Sequence, residues 1–372
     1  MREMKDSGIE WIGKVPVEWK IDNPQYHFSQ RKDRAKQGMV QLTASQKYGV
    51  ITQTEYMERT GANIVTVQKD FDILKLVCAG DFVIHMRSFQ GGLEYSEKTG
   101  SISSAYVMLI PSNTIREPRY YKWFFKSSNY IDALSSTSNL VRDGQAMRWS
   151  NFIQLPILFP PAEEQQRIAD FLDAKCAEID ALTADIQTQI DTLEQYKRSV
   201  ITETVTKGLN PDAEMKDSGI EWVGKMPLAW DAVPNKYLMY KVKNICPVYN
   251  GEDILSLTTN GVIIRDLNGG GKMPTSFDGY QKVTPGNLLM CLFDIDVTPR
   301  CIGLVKNFGL TSPAYSQFVM RTGAYAPYYY YYYLMVDYTK ELLHMAKNLR
   351  HSLTEDQLGA IKAPNPPYEE QV

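Results

Sequence analysis

The stretch MKDSGIEWIGKVP, at Met4–Pro16, is repeated as MKDSGIEWVGKMP at Met215–Pro227, a shift of 211 positions. Two of the thirteen positions differ, and each exchange keeps an apolar side chain. A match of this length does not arise by chance, so an internal duplication organises the chain. We call this stretch the opening motif.

Shorter matches follow in the same order in both copies. Leu42-Thr43 with Gly49-Val50-Ile51 matches Leu257-Thr258 with Gly261-Val262-Ile263, and Ser104-Ala105-Tyr106 matches Pro313-Ala314-Tyr315. A closing motif, PPAEEQ at residues 160–165, returns as PPYEEQ at 366–371. The chain is therefore predicted to hold two copies of one unit. The similar ends are predicted to share a structural role, and the diverged middles are predicted to have different specific functions.

A long helical pattern follows the first closing motif. Pro161 suits a first helical turn, the carboxylates of Glu163 and Glu164 favour its positive end, and Lys207-Gly208 ends the pattern. Apolar side chains recur every seven residues at one seam position and less regularly at a second, which predicts a coiled-coil surface that needs a partner. The seam residues are Leu172, Ile179, Leu182, Ile186, Leu193, Tyr196 and Val200.

The two middles are predicted to be mixed α+β. Apolar runs bounded by glycine, Phe82–Ile84 and Leu288–Met290, indicate short strands, and the aromatic stretches Tyr120–Phe125 and Tyr328–Tyr333 indicate packed helices. The predicted domains are residues 1–160 and 211–365, joined by a long coiled-coil-type helix over 161–210. Residues 366–372 start a second helix that is not completed. Either that helix has been removed from this sequence, or the natural chain is truncated and pairs with another molecule.

Composition limits the function only broadly. The apolar fraction of 44% is ordinary for a globular protein, no apolar run approaches the roughly 20 residues of a membrane-spanning helix, and the charged N-terminus leads into no signal-type segment. A net charge of −3 neither indicates nor excludes nucleic-acid binding. Five scattered cysteines favour reduced thiols and a cytoplasmic protein, and with the four histidines they form no metal-ligand pattern.

This order of motifs resembles the specificity subunit of type I restriction–modification systems, and the resemblance covers the whole chain. It implies two target-recognition domains, each reading one half of a bipartite site in double-stranded DNA, and spacer helices that set the gap between the half-sites. It also implies two docked methylation subunits, which hold S-adenosylmethionine, and restriction subunits driven by ATP and Mg²⁺. The specificity subunit itself carries no cofactor and catalyses nothing. The sequence departs from the family pattern in lacking the second spacer helix.

Polar and basic segments of the first copy are candidate DNA contacts. Arginine pairs with guanine and glutamine with adenine in the major groove, and basic runs suit phosphates. Each segment also has a structural explanation, as a polar hairpin, a solvated surface or a cap on the closing loop. The candidates are Arg31, Lys32, Arg34, Gln46, Lys47, Tyr48, Arg87, Ser88, Gln90, Arg142 and Arg148.

The second copy offers fewer candidates: Asn260, Lys272, Arg300, Asn348, Arg350 and His351. The tyrosine run could stack on bases, but packing is the favoured interpretation. The apolar side chains of the opening motif and just beyond it are predicted to dock each domain onto the spacer helix rather than to touch DNA. Those anchors are Trp11, Ile12, Trp19, Trp222, Val223 and Trp230.

Two other functions fit parts of the sequence. The chain could be a half-form that self-associates through its long helix. It could also be an N6-adenine methyltransferase, because Asn365-Pro366-Pro367-Tyr368 spells the N-P-P-Y signature of such enzymes. The repeat argues against the second rival, since the equivalent stretch at 159–162 has neither asparagine nor tyrosine and both stretches lead into Glu-Glu-Gln.

Overall fold

The computed structural model describes residues 2–64, 73–137, 147–267, 274–346 and 351–372. The predicted sites Arg142, Lys272, Asn348 and Arg350 lie outside these ranges. The chain divides into two compact units, Met1–Ala184 and Asp185–Val372. The boundary falls inside the long helix, so each unit includes part of it.

The first unit alternates short strands and helices before the long helix begins. Its elements are β1 (Met4–Asp6), β2 (Lys14–Pro16), β3 (Lys20–Asp22), β4 (Phe28–Arg31), β5 (Leu42–Ser45), β6 (Gly49–Thr52), α1 (Gln53–Thr60), β7 (Lys75–Val77), β8 (Phe82–Ile84), α2 (Ser88–Gly91), β9 (Glu94–Tyr95), β10 (Gly100–Ile102), β11 (Val107–Pro111), α3 (Pro118–Phe124), α4 (Ser128–Ser136), α5 (Trp149–Phe152), β12 (Ile157–Phe159) and the start of α6 (Ala162–Lys207).

The second unit follows the end of α6. Its elements are β13 (Met215–Asp217), β14 (Lys225–Pro227), β15 (Asp231–Pro234), β16 (Met239–Val242), β17 (Leu255–Thr258), β18 (Gly261–Ile264), β19 (Gln281–Val283), β20 (Leu288–Met290), β21 (Ile302–Leu304), β22 (Gly309–Thr311), β23 (Ser316–Met320), α7 (Ala326–Tyr338), α8 (Glu355–Ala360), β24 (Lys362–Asn365) and α9 (Tyr368–Gln371).

The two units share one sheet topology. A four-stranded antiparallel sheet has the order β4-β11-β8-β9 in the first unit and β16-β23-β20-β21 in the second. Each opening motif folds as a hairpin, β1-β2 or β13-β14. The strand after it pairs with the strand before the closing motif, β3 with β12 and β15 with β24. The predicted duplication and the predicted α+β fold are confirmed.

One of the short matches is out of register by two residues. Leu42 opens β5 and Leu255 opens β17, and a Cβ added at Gly100 or Gly309 would lie 2.9 or 3.1 Å from the Cγ atom of that leucine. The structural partner of Leu42 is therefore Leu255, not Leu257 as the sequence match had it. The match of Gly49-Val50-Ile51 to Gly261-Val262-Ile263 holds. The hairpin turn is consequently one residue shorter in the second unit.

Aromatic side chains form much of each core. In the first unit, Tyr120 and Tyr121 of α3 are buried, and the Phe125 that follows is completely covered. In the second unit, the hydroxyl of Tyr328 on α7 donates to the carbonyl of Val205 at 2.9 Å, which fastens α7 to the end of α6. Four of the six tyrosines in the run are buried, so the packing interpretation is confirmed for those four.

The tryptophans of the opening segments anchor different structures. The indole of Trp19 donates to Glu164 in the first turn of α6 at 2.9 Å, and Trp230 donates to Glu370 in the second closing motif at 2.8 Å. Trp11 instead packs against Tyr130, with 5.9 Å between ring centroids, and Trp222 donates to the Tyr332 hydroxyl at 3.0 Å. Trp11 and Trp222 pack against core clusters that also contain Ala169 and Val205 of α6, so their docking onto the spacer helix stays a prediction.

Helix α6 is continuous over 46 residues, a length of about 69 Å at 1.5 Å per residue. It ends where Gly208 adopts a left-handed φ of +77°, a conformation that favours glycine at a helix end. The long predicted helix is confirmed, with its start one residue later and its end three residues earlier than expected. Leu172 is half-buried, and the other seam residues are 43–68% exposed, namely Ile179, Leu182, Ile186, Leu193, Tyr196 and Val200.

Candidate nucleic-acid interface

Two of the predicted DNA-contacting segments of the first unit meet in space. The side-chain amide of Gln46, at the tip of the β5–β6 hairpin, donates to the carbonyl of Arg87 at 3.0 Å. A Cβ at Gly91 would lie 2.6 Å from the Gln46 Cγ atom, so the absence of a side chain there permits the contact. We call Gln46, Lys47, Tyr48, Arg87 and Gln90 the first tip surface.

The second of these segments is a short helix, α2, rather than the hairpin loop expected from sequence. Ser88 is completely buried, and its hydroxyl accepts the His85 backbone N–H at 2.9 Å. The next residue after α2, Gly92, has a φ of +75°, and a Cβ there would lie 1.9 Å from the Phe125 carbonyl oxygen. The prediction of Ser88 as a DNA contact is therefore corrected, because its hydroxyl stabilises the turn that presents Arg87.

Arg87 and Gln90 stand at the surface with free side chains. Both are exposed, and within the described part of the chain neither side chain makes a hydrogen bond or an ion pair. An exposed guanidinium without a carboxylate partner retains all its donors for an external acceptor. This pair is the best-placed group for base contacts in the first unit.

Cations surround Tyr48 in the first tip surface. The Lys47 ammonium and the Arg59 guanidinium each lie 5.3 Å from its ring centroid, within cation–π range. Arg59 also pairs with Glu55 at 2.6 Å, and Lys98 pairs with the same carboxylate at 2.8 Å. The Lys98 hydrogen bond holds the pKa of Glu55 below its usual value. Sequence reasoning missed Arg59, although its spacing of four from Glu55 marks a helix surface beside the hairpin.

Arg31 belongs to the core rather than to a DNA surface. Its guanidinium donates twice to Asp81, at 2.7 and 2.9 Å, and the two side chains are 15% and 2% exposed. The hydrogen bond that Arg31 donates to Asp81 raises the pKa of Arg31. The prediction of Arg31 as a phosphate contact is therefore corrected. Its neighbours Lys32 and Arg34 are exposed, and Arg34 donates to the Ile73 carbonyl at 3.1 Å.

Of the two described candidates near the closing motifs, Arg148 is exposed and His351 is partly exposed. Arg148 precedes α5, and its backbone N–H donates to the Asn151 side chain at 3.0 Å, which leaves the guanidinium outside. His351 adopts a φ of +43°, and its Nε2 atom lies 3.8 Å from a carboxylate oxygen of Asp296. Both side chains are placed where an external ligand can reach them.

In the second unit, Asn260 is exposed at the tip of the β17–β18 hairpin, where its backbone N–H donates to the Thr258 hydroxyl at 3.2 Å. Arg300 is mostly covered, with a side chain 17% exposed and its Nε atom 3.8 Å from Asp337. Both residues line one pocket, together with Lys197 and other residues that the sequence did not single out.

The N-P-P-Y stretch serves the closing motif. The Asn365 side-chain oxygen accepts the Tyr329 hydroxyl at 2.9 Å, and the Pro366 carbonyl accepts the Gln371 amide at 2.8 Å. In the first unit the Gln165 amide donates in the same way to the Pro160 carbonyl, at 2.8 Å. The oxygens that a methyltransferase would direct at its target amino group are thus engaged internally. This contradicts the methyltransferase hypothesis.

In the residues that the structure describes, no three histidine, cysteine or acidic side chains are grouped to hold a metal ion. A search of the same residues finds no helix with the length and hydrophobicity to cross a membrane.

Comparison with known proteins gives consistent matches. The model of the type I restriction modification DNA specificity domain matches residues 26–192. The type I restriction enzyme MjaVIII specificity subunit of Methanocaldococcus jannaschii is 23% identical over 240 residues, which are 64% of this chain and 52% of that protein. The chain thus spans about half the length of this relative.

One solved structure shows the same fold. A chain from a structure concerning complex assembly and conformational transition of the type I R-M system superposes with a TM-score of 0.60 at 13% identity, over 96% of this chain and 88% of that one. The HsdS subunit from Thermoanaerobacter tengcongensis gives a TM-score of 0.49 at 15% identity, over 98% and 88% of the two chains. The domain match and the relative show that this chain is similar to type I restriction–modification specificity subunits, and the solved structure with the TM-score of 0.60 shows the same fold.

Proposed function

We propose that the chain is the sequence-recognition subunit of a type I restriction–modification complex and that each unit reads one half of a bipartite site in double-stranded DNA. The observation that carries this proposal is the repetition of one sheet topology with different side chains at corresponding hairpin tips. The tip is Gln46-Lys47-Tyr48 in the first unit and Thr259-Asn260 in the second. Two tips with different hydrogen-bonding groups suit two different half-sites.

The chemistry of the first tip surface supports base reading. Arg87 matches the O6 and N7 acceptors of guanine, and Gln90 matches the N6 and N7 atoms of adenine. Lys47, Arg59 and Lys98 supply positive charge for phosphates around them. We propose that Lys32, Arg34, Arg148 and His351 contribute phosphate contacts, since the first three are exposed and His351 is partly exposed.

We propose that partner subunits cover the exposed seam of α6. An apolar stripe with side chains more than 40% exposed is stabilised by burial against another surface. Two methylation subunits holding S-adenosylmethionine, and restriction subunits using ATP and Mg²⁺, are the proposed partners. The chain itself then holds no cofactor and catalyses no reaction, and it works in the cytoplasm on DNA.

The test combines genetics with binding. Methylated positions in host DNA are mapped with and without this gene, and we expect one bipartite motif to lose its methylation. The variant Arg87→Ala with Gln90→Ala is then measured on the cognate sequence and on random DNA. Loss of two base contacts is expected to weaken cognate binding by about 10- to 1000-fold more than random binding. Equal losses on both DNAs would contradict a base-reading role for this pair.

The exposed seam also supports a second candidate, a half-form that self-associates through α6. Light scattering on the purified full chain separates the two candidates. A monomer that forms a complex only after methylation subunits are added supports the first, and a dimer of the chain alone supports the second.

A further inference from the structure

The second unit contains a polar pocket of about 500 Å³ between the last part of α6, the tip of the β17–β18 hairpin and the end of α7. We call it the cationic pocket, because its charged lining is mostly basic. The residues used in the argument are Lys197, Arg198, Asn260, Arg300, Asp337 and Lys340.

Positive charge in the pocket is only partly balanced. Four cations line it, against the two carboxylates Glu194 and Asp337. Asp337 is 6% exposed and already engaged, since the Lys340 ammonium lies 2.7 Å from one of its oxygens and the Cys301 N–H donates to the other at 3.1 Å. Burial lowers the pKa of Lys340, but the hydrogen bond and charge of Asp337 outweigh burial and raise it, so the ammonium stays charged.

Two cations of α6 remain without a carboxylate. Lys197 and Arg198 are exposed, and within the described ranges neither forms an ion pair. The Arg198 guanidinium lies 4.9 Å from the ring centroid of Tyr338, and the Arg300 guanidinium lies 5.4 Å from the same ring. Two cations held beside one ring repel each other, and an anion between or beside them removes that cost.

A buried donor in the pocket lacks an acceptor. The Nε atom of Arg300 is inaccessible to solvent and makes no hydrogen bond to any residue that the structure describes, since the Asp337 oxygen beside it is 3.8 Å away. Leaving a buried donor unsatisfied destabilises the folded state. Because this Nε atom is inaccessible, it does not itself face a ligand in the pocket, and the anionic ligand is indicated by the excess positive charge of the lining.

The described residues of the first unit contact the start of α6 with the opposite distribution of charge. There the helix contributes the carboxylates Asp170 and Asp173, and Arg119 neutralises them at 2.9 and 3.2 Å. The start of α6 thus carries paired carboxylates, whereas its last part carries the cations that line the pocket.

We propose that the cationic pocket binds a phosphodiester group of the DNA backbone beside the second half-site. The proposal rests on the DNA-reading function proposed above. Asn260, at the hairpin tip that corresponds to the first tip surface, lines the same pocket, so a tip in contact with bases would bring the adjoining backbone to Arg198 and Arg300. Guanidinium groups bind phosphate with paired hydrogen bonds. A free phosphate ion offers the same chemistry and is the alternative source.

The test measures DNA binding by the full chain, alone and with its methylation subunits, as a function of salt. Arg198→Gln is expected to reduce the slope of log affinity against log salt by about 1 and to weaken cognate and random DNA to the same extent. Arg198→Lys keeps the charge and is expected to keep the slope. Lys207→Gln is the matched control, an exposed cation on the same helix whose partner is Glu203 at 3.6 Å. It should leave the slope unchanged.

A parallel calorimetric titration with inorganic phosphate distinguishes a DNA phosphodiester from a free phosphate ion as the ligand. An unchanged slope in Arg198→Gln, while the unmodified chain binds DNA, overturns the proposal and leaves the DNA-reading function intact. Phosphate binding that is lost in Arg198→Gln without a change in slope assigns the pocket to a free anion and also overturns it. If the unmodified chain binds no DNA in either form, the proposed function itself fails.

Discussion

Arg31→Val is expected to destabilise the first unit without removing a DNA contact. The substitution leaves the Asp81 carboxylate, 2% exposed, with the Cys78 N–H at 2.8 Å as its remaining described donor. Removing one partner of a buried ion pair costs about 3–5 kcal/mol. Since about 1.4 kcal/mol corresponds to a factor of ten, opening of the first sheet should become about two to four orders of magnitude more frequent.

Native-state hydrogen exchange measures this directly. The backbone amides of β8, which follow Asp81, should exchange faster by that factor. Those of β20, the corresponding strand of the second unit, are an internal reference in the same sample. DNA binding below the unfolding transition should keep its salt slope, because Arg31 touches no phosphate in this interpretation. The nearby control Lys32→Gln should change stability by less than about 0.5 kcal/mol and lower the slope by about 1.

The duplication supplies the compensating variant. Strand pairing places Val242 and Asn287 of the second unit where the first has Arg31 and Asp81. Arg31→Val combined with Asp81→Asn leaves no buried charge and is expected to recover at least about 2 kcal/mol relative to Arg31→Val alone. The reasoning is refuted if β8 exchange in the single variant stays within threefold of the original, or if the double variant is no more stable than the single one.

Three further outcomes are expected. The double variant Ile186→Asp with Leu193→Asp changes positions that are 55% and 65% exposed, so the melting temperature should change little. It should abolish binding of the methylation subunits in a pull-down. An intact complex would contradict the proposal that the seam of α6 binds these subunits. Gly91→Ala should displace Gln46, lower the free energy of unfolding by about 0.5–1.5 kcal/mol and alter the preference for the first half-site. An unchanged half-site preference would show that the Gln46–Arg87 contact plays no part in base recognition. Burial and Asp337 raise the pKa of Cys301 to about 12, so its thiol should react with an alkylating reagent at pH 8 far more slowly than Cys176, and equal rates would contradict the buried core.

The duplication made the fold predictable, because two copies of one pattern must satisfy one topology. The error in register arose where the repeat itself is ambiguous. Leu255 and Leu257 both begin a Leu-x pair in an alternating strand, and the identical Leu-Thr letters favoured the second. A strand slips in steps of two without exchanging its faces, so sequence pattern alone does not choose between the two leucines. The register is determined by the neighbouring strand, whose glycine leaves room for Leu42 in the first unit and for Leu255 in the second.

The candidate site was less predictable, because charge in sequence does not show its partner in space. Arg31 and Lys32 are adjacent in one basic run, yet one binds a core carboxylate fifty positions away and the other is exposed. For Lys197 and Arg198 the sequence predicted no site, but the structure places them in the cationic pocket. Between seam positions of a heptad they resemble an ordinary solvated helix face, and only the folded second unit brings Tyr338 and Arg300 beside them.

The distribution of differences between the copies supports two readers built on one scaffold. Two contacts that both units make involve the closing motifs: a tryptophan bound to the closing glutamate, and a closing glutamine bound to a proline carbonyl. The central sheet differs instead, with His85 and Glu94 in the first unit where the second has Cys291 and Gly303. These positions lie in or next to strands β8 and β9, which flank the helix that presents Arg87. Divergence therefore affects the supports of the tips as well as the tips themselves. Exchanging tip side chains alone should thus transfer half-site preference incompletely, whereas exchanging a whole middle between its opening and closing motifs should transfer it in full.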